Sequence, residues 1–530
     1  MGFLRKSTII LASTILSVAL HAQGDRTRIK VRMGTEGGGD ARLPVIGVVK
    51  SGANAVLVQR QEVGEDGVVK GRLDLYDRAK LGFLRTLPPV EKLTNNAKVI
   101  PDRVVIFNDR TIMIARAHGA GSTDLHYQIL DPNITRLPPP YEPLCSWPMA
   151  LPVPTTVEPA NFNYAYAPDS ALLLMHSPMV NVPGGHKAML GLWSKDMSVR
   201  WTNVLPGAEG ALRSTVLDAV VDTAGTAFVL ISDRMANSEV LDGKHTSRIT
   251  LFRINKDSIS VAPVKLSREK FLTHAALRQV PSGIILAGIY GLVKDDRIVI
   301  QGDLLARIGM DGQVGDPMLV PHTEENALIA EGEPPPVEGQ KFVEKDVERL
   351  MTGIRVVDVL PRTDGGFFLV KELYFMETYF DLKAKRQANR YIHGPLQATA
   401  VGKGGAAEWN GLFRRWHKSD RPGQGDVIAG VFADELFLFV LDSDEMAALR
   451  KSGGKMVPGQ MKDPYTAYVS FDAKGLPRVK PILKSGSETG FMSGSAIHRF
   501  GPAEFYAVGS EKPDGGRTLP VRIDLATETK

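Results

Sequence analysis

The sequence predicts an all-β fold, a β-propeller of eight four-stranded blades in which an N-terminal strand closes the last blade. Three observations lead there. One type of hairpin recurs eight times along 530 residues. A second, more polar hairpin follows each of the first seven. The last repeat is one strand short, and the first has one strand too many. A chain this long exceeds one ordinary core unless the fold is a repeat or a barrel. Its 52 glycines and 34 prolines suit many short strands joined by turns.

The recurring hairpin is a short apolar strand, a tight turn, then a strongly apolar strand. Its copies are VIGVVKSGANAVLVQRQ from Val45, VVIFNDRTIMIARAH from Val104, FNYAYAPDSALLLMHSP from Phe162 and LDAVVDTAGTAFVLISD from Leu217. They continue with HAALRQVPSGIILAGIY from His274, VVDVLPRTDGGFFLVKELY from Val356, VIAGVFADELFLFVLDSD from Val427 and SAIHRFGPAEFYAVGSE from Ser495. Each turn holds Gly, Asn, Asp, Ser or Pro, which tolerate or pre-set turn dihedrals. The second strand is the more apolar, as expected when both its faces are covered.

The second hairpins include LDLYDRAKLGFLRTL from Leu73, MLGLWSKDMSVRWTNVL from Met189, ITLFRINKDSISVAPVKL from Ile249 and TAYVSFDAKGLPRVKPIL from Thr466. Two hairpins make a four-stranded sheet with one apolar face too many. Packing such sheets face to face around an axis buries those faces and leaves short edges. Two tandem β-sandwiches are the rival, but no linker separates two halves. The surplus strand RTRIKVRM, Arg26 to Met33, is expected beside the strand near Leu519 to Leu525.

Three spans interrupt the repeats. Residues 322–350 contain Glu-Gly-Glu-Pro-Pro-Pro, then VEGQKFVEKDVERLM, where Phe342, Val343, Val347, Leu350 and Met351 share a helical face, so a short helix is expected. Residues 380–396 read as a basic loop. In 442–461, Ser443 or Asp444 can cap a helix that Gly453-Gly454 ends. Together these spans are expected to form an adhesive surface. LPPPYEPL (137–144) and LPVPTTVEP (151–159) read as extended proline-rich links.

Residues 1–22 read as a secretory signal: Arg5-Lys6, an apolar run from Ser7 to Leu20, and a small residue, Ala22, for cleavage. The run is short for a bilayer span and has no following lipoprotein cysteine. No second apolar run could span a bilayer. Residues 23–530 are then the propeller. Losing Arg5 and Lys6 takes the formal net charge from +5 to +3, too mild a balance for a nucleic-acid partner. Cys145 is the only cysteine, so neither an intramolecular disulfide nor a cysteine zinc site is expected. An exported, disulfide-free chain fits a bacterial envelope, periplasmic or extracellular. Asn133-Ile134-Thr135 matches a glycosylation sequon without meaning in that setting.

No sequence constellation specifies chemistry. Gly34-Thr-Glu-Gly37-Gly38-Gly39 has no following helix, as a phosphate cradle requires. In Gly486-Ser487-Glu488-Thr489-Gly490 the serine stands one place early for a nucleophile elbow. His322-Thr323-Glu324-Glu325 reads as a solvated loop. Asp442-Ser443-Asp444-Glu445 lacks the glycine and late glutamate of a calcium loop. No metal and no cofactor are expected. Glu372, Tyr374 and Glu377 alternate on a strand and are the candidate catalytic residues, since paired carboxylates serve glycoside hydrolysis. A solvated strand end explains Glu372 equally. Trp193, Trp201, Trp409 and Trp416 are expected between blades rather than as sugar platforms.

The segment DGGFFLVKELYF, the polar span after it, the strand ending near Trp409 and AGVFADELFLFVLDSD resemble a group of uncharacterised exported proteins of Bacteroidota. In that group a DGG-turn strand runs into an acidic-aromatic end such as A-E-Q-Y; this chain has Lys371-Glu372-Leu373-Tyr374 there. The resemblance covers the last third and implies a secreted, propeller-like protein without an assigned activity. The expectation is an exported, monomeric, non-catalytic propeller that binds a protein or glycan or serves as a scaffold. The alternative is a propeller enzyme on polysaccharide or peptide, its site assembled from several blades.

Overall fold

The computed structural model describes residues 27–527 apart from 35–44, 52–53, 64–68, 88–92, 94–96, 109, 120, 131–139, 152–161, 236–246, 268, 281–282, 295–296, 323–343, 421–424, 455, 457–458, 460, 485–490 and 513–514. The signal segment, the sequon, the glycine-rich stretch after Gly34 and the Gly486 region lie wholly or mostly outside the described residues.

Eight antiparallel sheets follow one another along the chain, each with its strands in chain order apart from added short strands in the third and sixth and the chain's first strand, which joins the eighth. The eight recurring hairpins supply the first and second strands of the eight blades. In the sixth these are Glu344–Pro361 and Phe367–Asp381, with third and fourth strands Arg386–Val401 and Ala407–Phe413. The turn between the first two is tight because Gly365 has φ 88°, a conformation open to glycine, and the Asp364 carboxylate accepts the Gly366 amide at 2.9 Å. The fourth blade repeats the device at Gly225, also φ 88°.

Second strands are buried on both faces, as their composition predicted. All five residues of Leu172–His176 are buried, as are seven of eight in Glu435–Asp442. Alternate side chains serve alternate interfaces. In the fourth blade Ala227, Val229 and Ile231 pack toward the third blade, while Phe228 and Leu230 pack toward the fifth. The same division carries around the ring. Ala55 and Leu57 join the second blade, and Val56 and Val58 join Tyr506 and Val508 of the eighth. The ring is therefore closed by packing between first and last blades, reinforced by Arg78 to Glu504 at 2.6 Å. First strands touch first strands from blade to blade, which places them around the axis.

The surplus strand does what its position predicted. Thr27–Met33 pairs antiparallel with Gly515–Thr527, Thr27 opposite Thr527 and Met33 opposite Val521, completing the eighth blade. Ile29 and Val31 pack on the cluster shared by the last two blades.

Two expectations about the interruptions are overturned. Residues 344–351 belong to the strand Glu344–Pro361, not to a helix; Phe342 and Val343 lie outside the described residues. The local apolar spacing loses to a long pairing, which runs from Glu344 opposite Asp381 to Pro361 opposite Phe367. Residues 380–396 are likewise no loop. They form the far end of a ribbon in which Phe367–Asp381 pairs with Arg386–Val401 around a short turn. Residues 391–396 are buried, so the base of this span is core, and only 382–387 are exposed at its tip. Part of the 137–144 link is also a strand, Glu142–Trp147, the fourth of the second blade.

The third interruption holds the expected helix, Asp444–Ser452. Ser443 caps it by accepting the Met446 amide, and Gly453 ends it at φ 69°. It lays Met446 against Leu373, Phe375, Ile392 and Trp416 of the blade-6 ribbon.

Candidate functional site

The longest blade also carries the densest buried charge. Glu372, on the second strand of blade 6, is fully buried. Arg355 stands directly opposite it on the first strand and donates at 2.8 Å from Nε and 2.7 Å from Nη2. His393, on the third strand, donates from Nδ1 to Oε1 at 3.0 Å. Arg415, just past the fourth strand, reaches the same oxygen at 2.5 Å and donates to the Gly425 carbonyl at 2.8 Å. Arg355 also bonds Asp426 at 2.8 Å and lies 3.9 Å over the Tyr374 ring. The chain crosses this cluster closely at Gly425, where a Cβ would stand 2.2 Å from the His393 ring.

Burial by itself would raise the Glu372 pKa, but Arg355, His393 and Arg415 hold it well below the usual carboxylate range. It stays ionised and cannot donate a proton at neutral pH. Burial, with Arg355 opposing it, raises the Tyr374 phenol. Glu377 does not join them. It stands five residues further along, beyond the register shift between Glu372 and Tyr374, and pairs with buried Arg390 at 3.0 Å. Of the three candidate residues, Glu372 and Tyr374 thus share a site through Arg355 and His393, and Glu377 lies outside it. Nor is Glu372 the solvated strand end that its position allowed, because the strand continues through a second, covered half.

His393 and His417 are paired across strands, with ring centroids 6.2 Å apart. The Nε2 of His393 and both ring nitrogens of His417 are buried without a hydrogen-bond partner. Burial, then the neighbouring His393 and Arg415, pushes the His417 pKa down to about 3. Burial similarly pushes His274 down to about 4, with Arg355 adding to it. Each imidazole binds a proton more readily unfolded, at about 6.5, than folded. Their stabilisation is therefore complete above that pH and lost as pH falls toward the folded values. Thermal melts should show stability falling from pH 7 to pH 4.5, by up to about 1.4 kcal/mol per unit for each such group. Replacing His417 by leucine should flatten that slope; an unchanged slope would contradict the assignment.

A second buried group lies between blades 5 and 6. Lys371 Nζ is 2.6 Å from Asp303, which also accepts from His322 Nε2 at 2.9 Å. Burial lowers the Lys371 pKa, and Asp303 opposes it. His322 is thus a buried partner rather than a solvated loop residue, because Asp303 on the third strand of blade 5 draws it in. The adjoining cavity of about 20 Å³, lined by Lys371, His322, Thr399 and Asn410, has room for roughly one water and not for a substrate.

Nearer the axis, carboxylates do converge. Asp218 and Asp358, from the first strands of blades 4 and 6, both bind Arg278 of blade 5, at 3.1 and 2.8 Å. Each lies beside a bulge in its strand, which re-aims the side chain. Among the described residues no group of three metal-ligating side chains occurs, and no helix is long and apolar enough to cross a membrane. Asp442 pairs with Arg450 across the helix. Trp193 and Trp201 pack between blades, Trp409 stacks on Phe471, and Trp416 lies under the helix. Burial raises the Cys145 thiol to about 12.

Of this cluster, Glu372 and Tyr374 were singled out in the sequence. The Glu372 partners Arg355, His393 and Arg415 stand 17, 21 and 43 residues away, at separations set by the strands rather than by a motif.

No family model matches the chain, and no curated protein does. Among solved structures it is similar to the WD40 domain of SCAP from fission yeast, with 8% identity, 94% of this chain and 98% of that one covered, and a TM-score of 0.37. Polysaccharide lyase Uly1 matches with 8% identity, 80% and 89% coverage and a TM-score of 0.34. The endo-arabinase of Bacteroides thetaiotaomicron matches with 10% identity, 62% and 95% coverage and a TM-score of 0.26. Likenesses this distant carry no argument about activity. The eight-bladed β-propeller architecture stands on the chain's own strand pairing and blade-to-blade packing.

Proposed function

We propose that this chain is an exported, non-catalytic β-propeller that binds a protein or glycan partner or acts as a scaffold. The observation that carries this reading is the fate of its candidate acids. Glu372 is fully buried and held by three cationic or hydrogen-bonding partners. Asp218 and Asp358 share one arginine near the axis. A general acid needs a raised pKa and a route to substrate, and Glu372 has neither. Export rests on the N-terminal signal pattern alone.

The test is an incubation of the purified protein with envelope polysaccharides and peptides, followed both for binding and for product. Saturable binding without turnover is expected. Turnover that disappears in a folded Glu372→Gln variant would overturn the reading in favour of a propeller enzyme.

A further inference from the structure

The blade-6 ribbon projects past both neighbours, further on one side than the other. Its second strand has 15 residues against 12 in blade 5 and eight in blade 7, an excess of roughly 10 Å and 23 Å at about 3.3 Å per residue. Its base is fixed by Leu373, Phe375 and Ile392 against the helix, so the tip is held on a rigid stalk. That tip is Leu382-Lys383-Ala384-Lys385-Arg386, all exposed. Leu382 is 37% exposed. Among the described residues neither Lys383 nor Lys385 has an ion-pair partner. Two acids stand at the base of the tip: Asp381, which accepts the Lys383 and Ala384 amides at 2.8 and 2.9 Å, and Glu344, paired opposite it. Lys385 adopts φ 53°, where glycine or asparagine would be less strained.

We infer that this tip docks on an anionic lipid surface. Cations spaced around an exposed apolar side chain match a headgroup layer, where lysines meet phosphates and the leucine enters the acyl boundary. A glycan reader would be expected to present aromatic faces, whereas Tyr379 and Tyr391, at the base of the tip, are both buried. Docking there leaves the opposite end of the ring free. Strands alternate in direction, so the turn after the second strand lies at the other end from the turns at Gly365 and Lys474. The inference goes beyond the binding reading above and does not depend on which partner the ring takes.

Co-sedimentation of the purified protein with phosphatidylglycerol-containing and pure phosphatidylcholine vesicles tests it. Binding to the anionic vesicles alone is expected, weakening with salt. Lys383→Ala with Lys385→Ala should lower partition by about fivefold for each lysine, and Leu382→Ser should lower it at unchanged charge. Lys385→Gly should keep or raise the melting temperature while weakening binding, which separates docking from folding. Lys256→Glu with Lys474→Glu, at the opposite end, should leave binding intact. Equal loss in that control would reduce the effect to net charge and overturn the assignment. So would binding to a soluble anionic polysaccharide without binding to vesicles; that result would leave the proposed ring function standing.

Discussion

Replacing Glu372 by alanine should destabilise the protein by about 3–5 kcal/mol, the usual consequence of removing one partner from a buried ion pair. The reason is what remains. Arg415 is fully buried, and its charge would keep only the carbonyls of Gly394 and Gly425 as partners. Arg355 is a quarter exposed and retains Asp426, so it suffers less. The His393 Nδ1 proton would lose its acceptor. Glu372→Gln should fall between, since it keeps an acceptor and loses the charge. Joint replacement of Glu372 by leucine and Arg415 by methionine should recover much of the loss, because an apolar pair needs no desolvated charge. Denaturant unfolding of the four proteins measures this. A Glu372→Ala midpoint equal to wild type would mean that water reaches the cluster and that the site is open.

The second large effect is expected at the seam. Deleting Thr27–Met33 removes a seven-residue ladder and uncovers Leu525 and Ile523, and it takes away Ile29 and Val31. At about 1.5–3 kcal/mol for each large apolar side chain exposed, the loss is on the order of 5 kcal/mol. It also bares Gly515–Thr527 as an edge, so the variant should self-associate more than the intact protein. Chemical denaturation and size-exclusion chromatography report the two consequences separately. An unchanged unfolding midpoint would show that the ring is held by the contact of Val48 and Val58 with Tyr506 and Val508 without help from the strand.

The architecture was legible because a repeat states its pattern many times. The hairpin from Val356 is ambiguous alone, but eight copies with turn residues at matching places leave few folds that bury them. The N-terminal strand could be placed by counting strands at the two ends. The blade-6 ribbon was misread for a physical reason. Residues 380–396 are basic and polar by composition, and such a span reads as a loop. Their strand character comes from the facing strand Phe367–Asp381 and from the cover that the helix and the His417–Ser419 strand place over it. The helix Asp444–Ser452 was legible because capping is local, as Ser443 and Gly453 show. The charge cluster was not, since Glu372, His393 and Arg415 meet only when three strands and a following segment come side by side. Lys371 and His322 illustrate the same limit, for Asp303 joins them across a blade boundary.

Closure of an eight-bladed ring by its first strand is the central structural claim, and one cross-link tests it. Arg28 and Ala526 are directly paired and both exposed, and paired Cα atoms in antiparallel strands stand about 4.5–5.5 Å apart, within disulfide reach. With Cys145 replaced by serine, Arg28→Cys and Ala526→Cys should oxidise to an intramolecular disulfide in monomeric protein, and oxidation should raise the melting temperature. Thiols that stay reduced in folded monomer, or that bridge only between molecules, would contradict the closure.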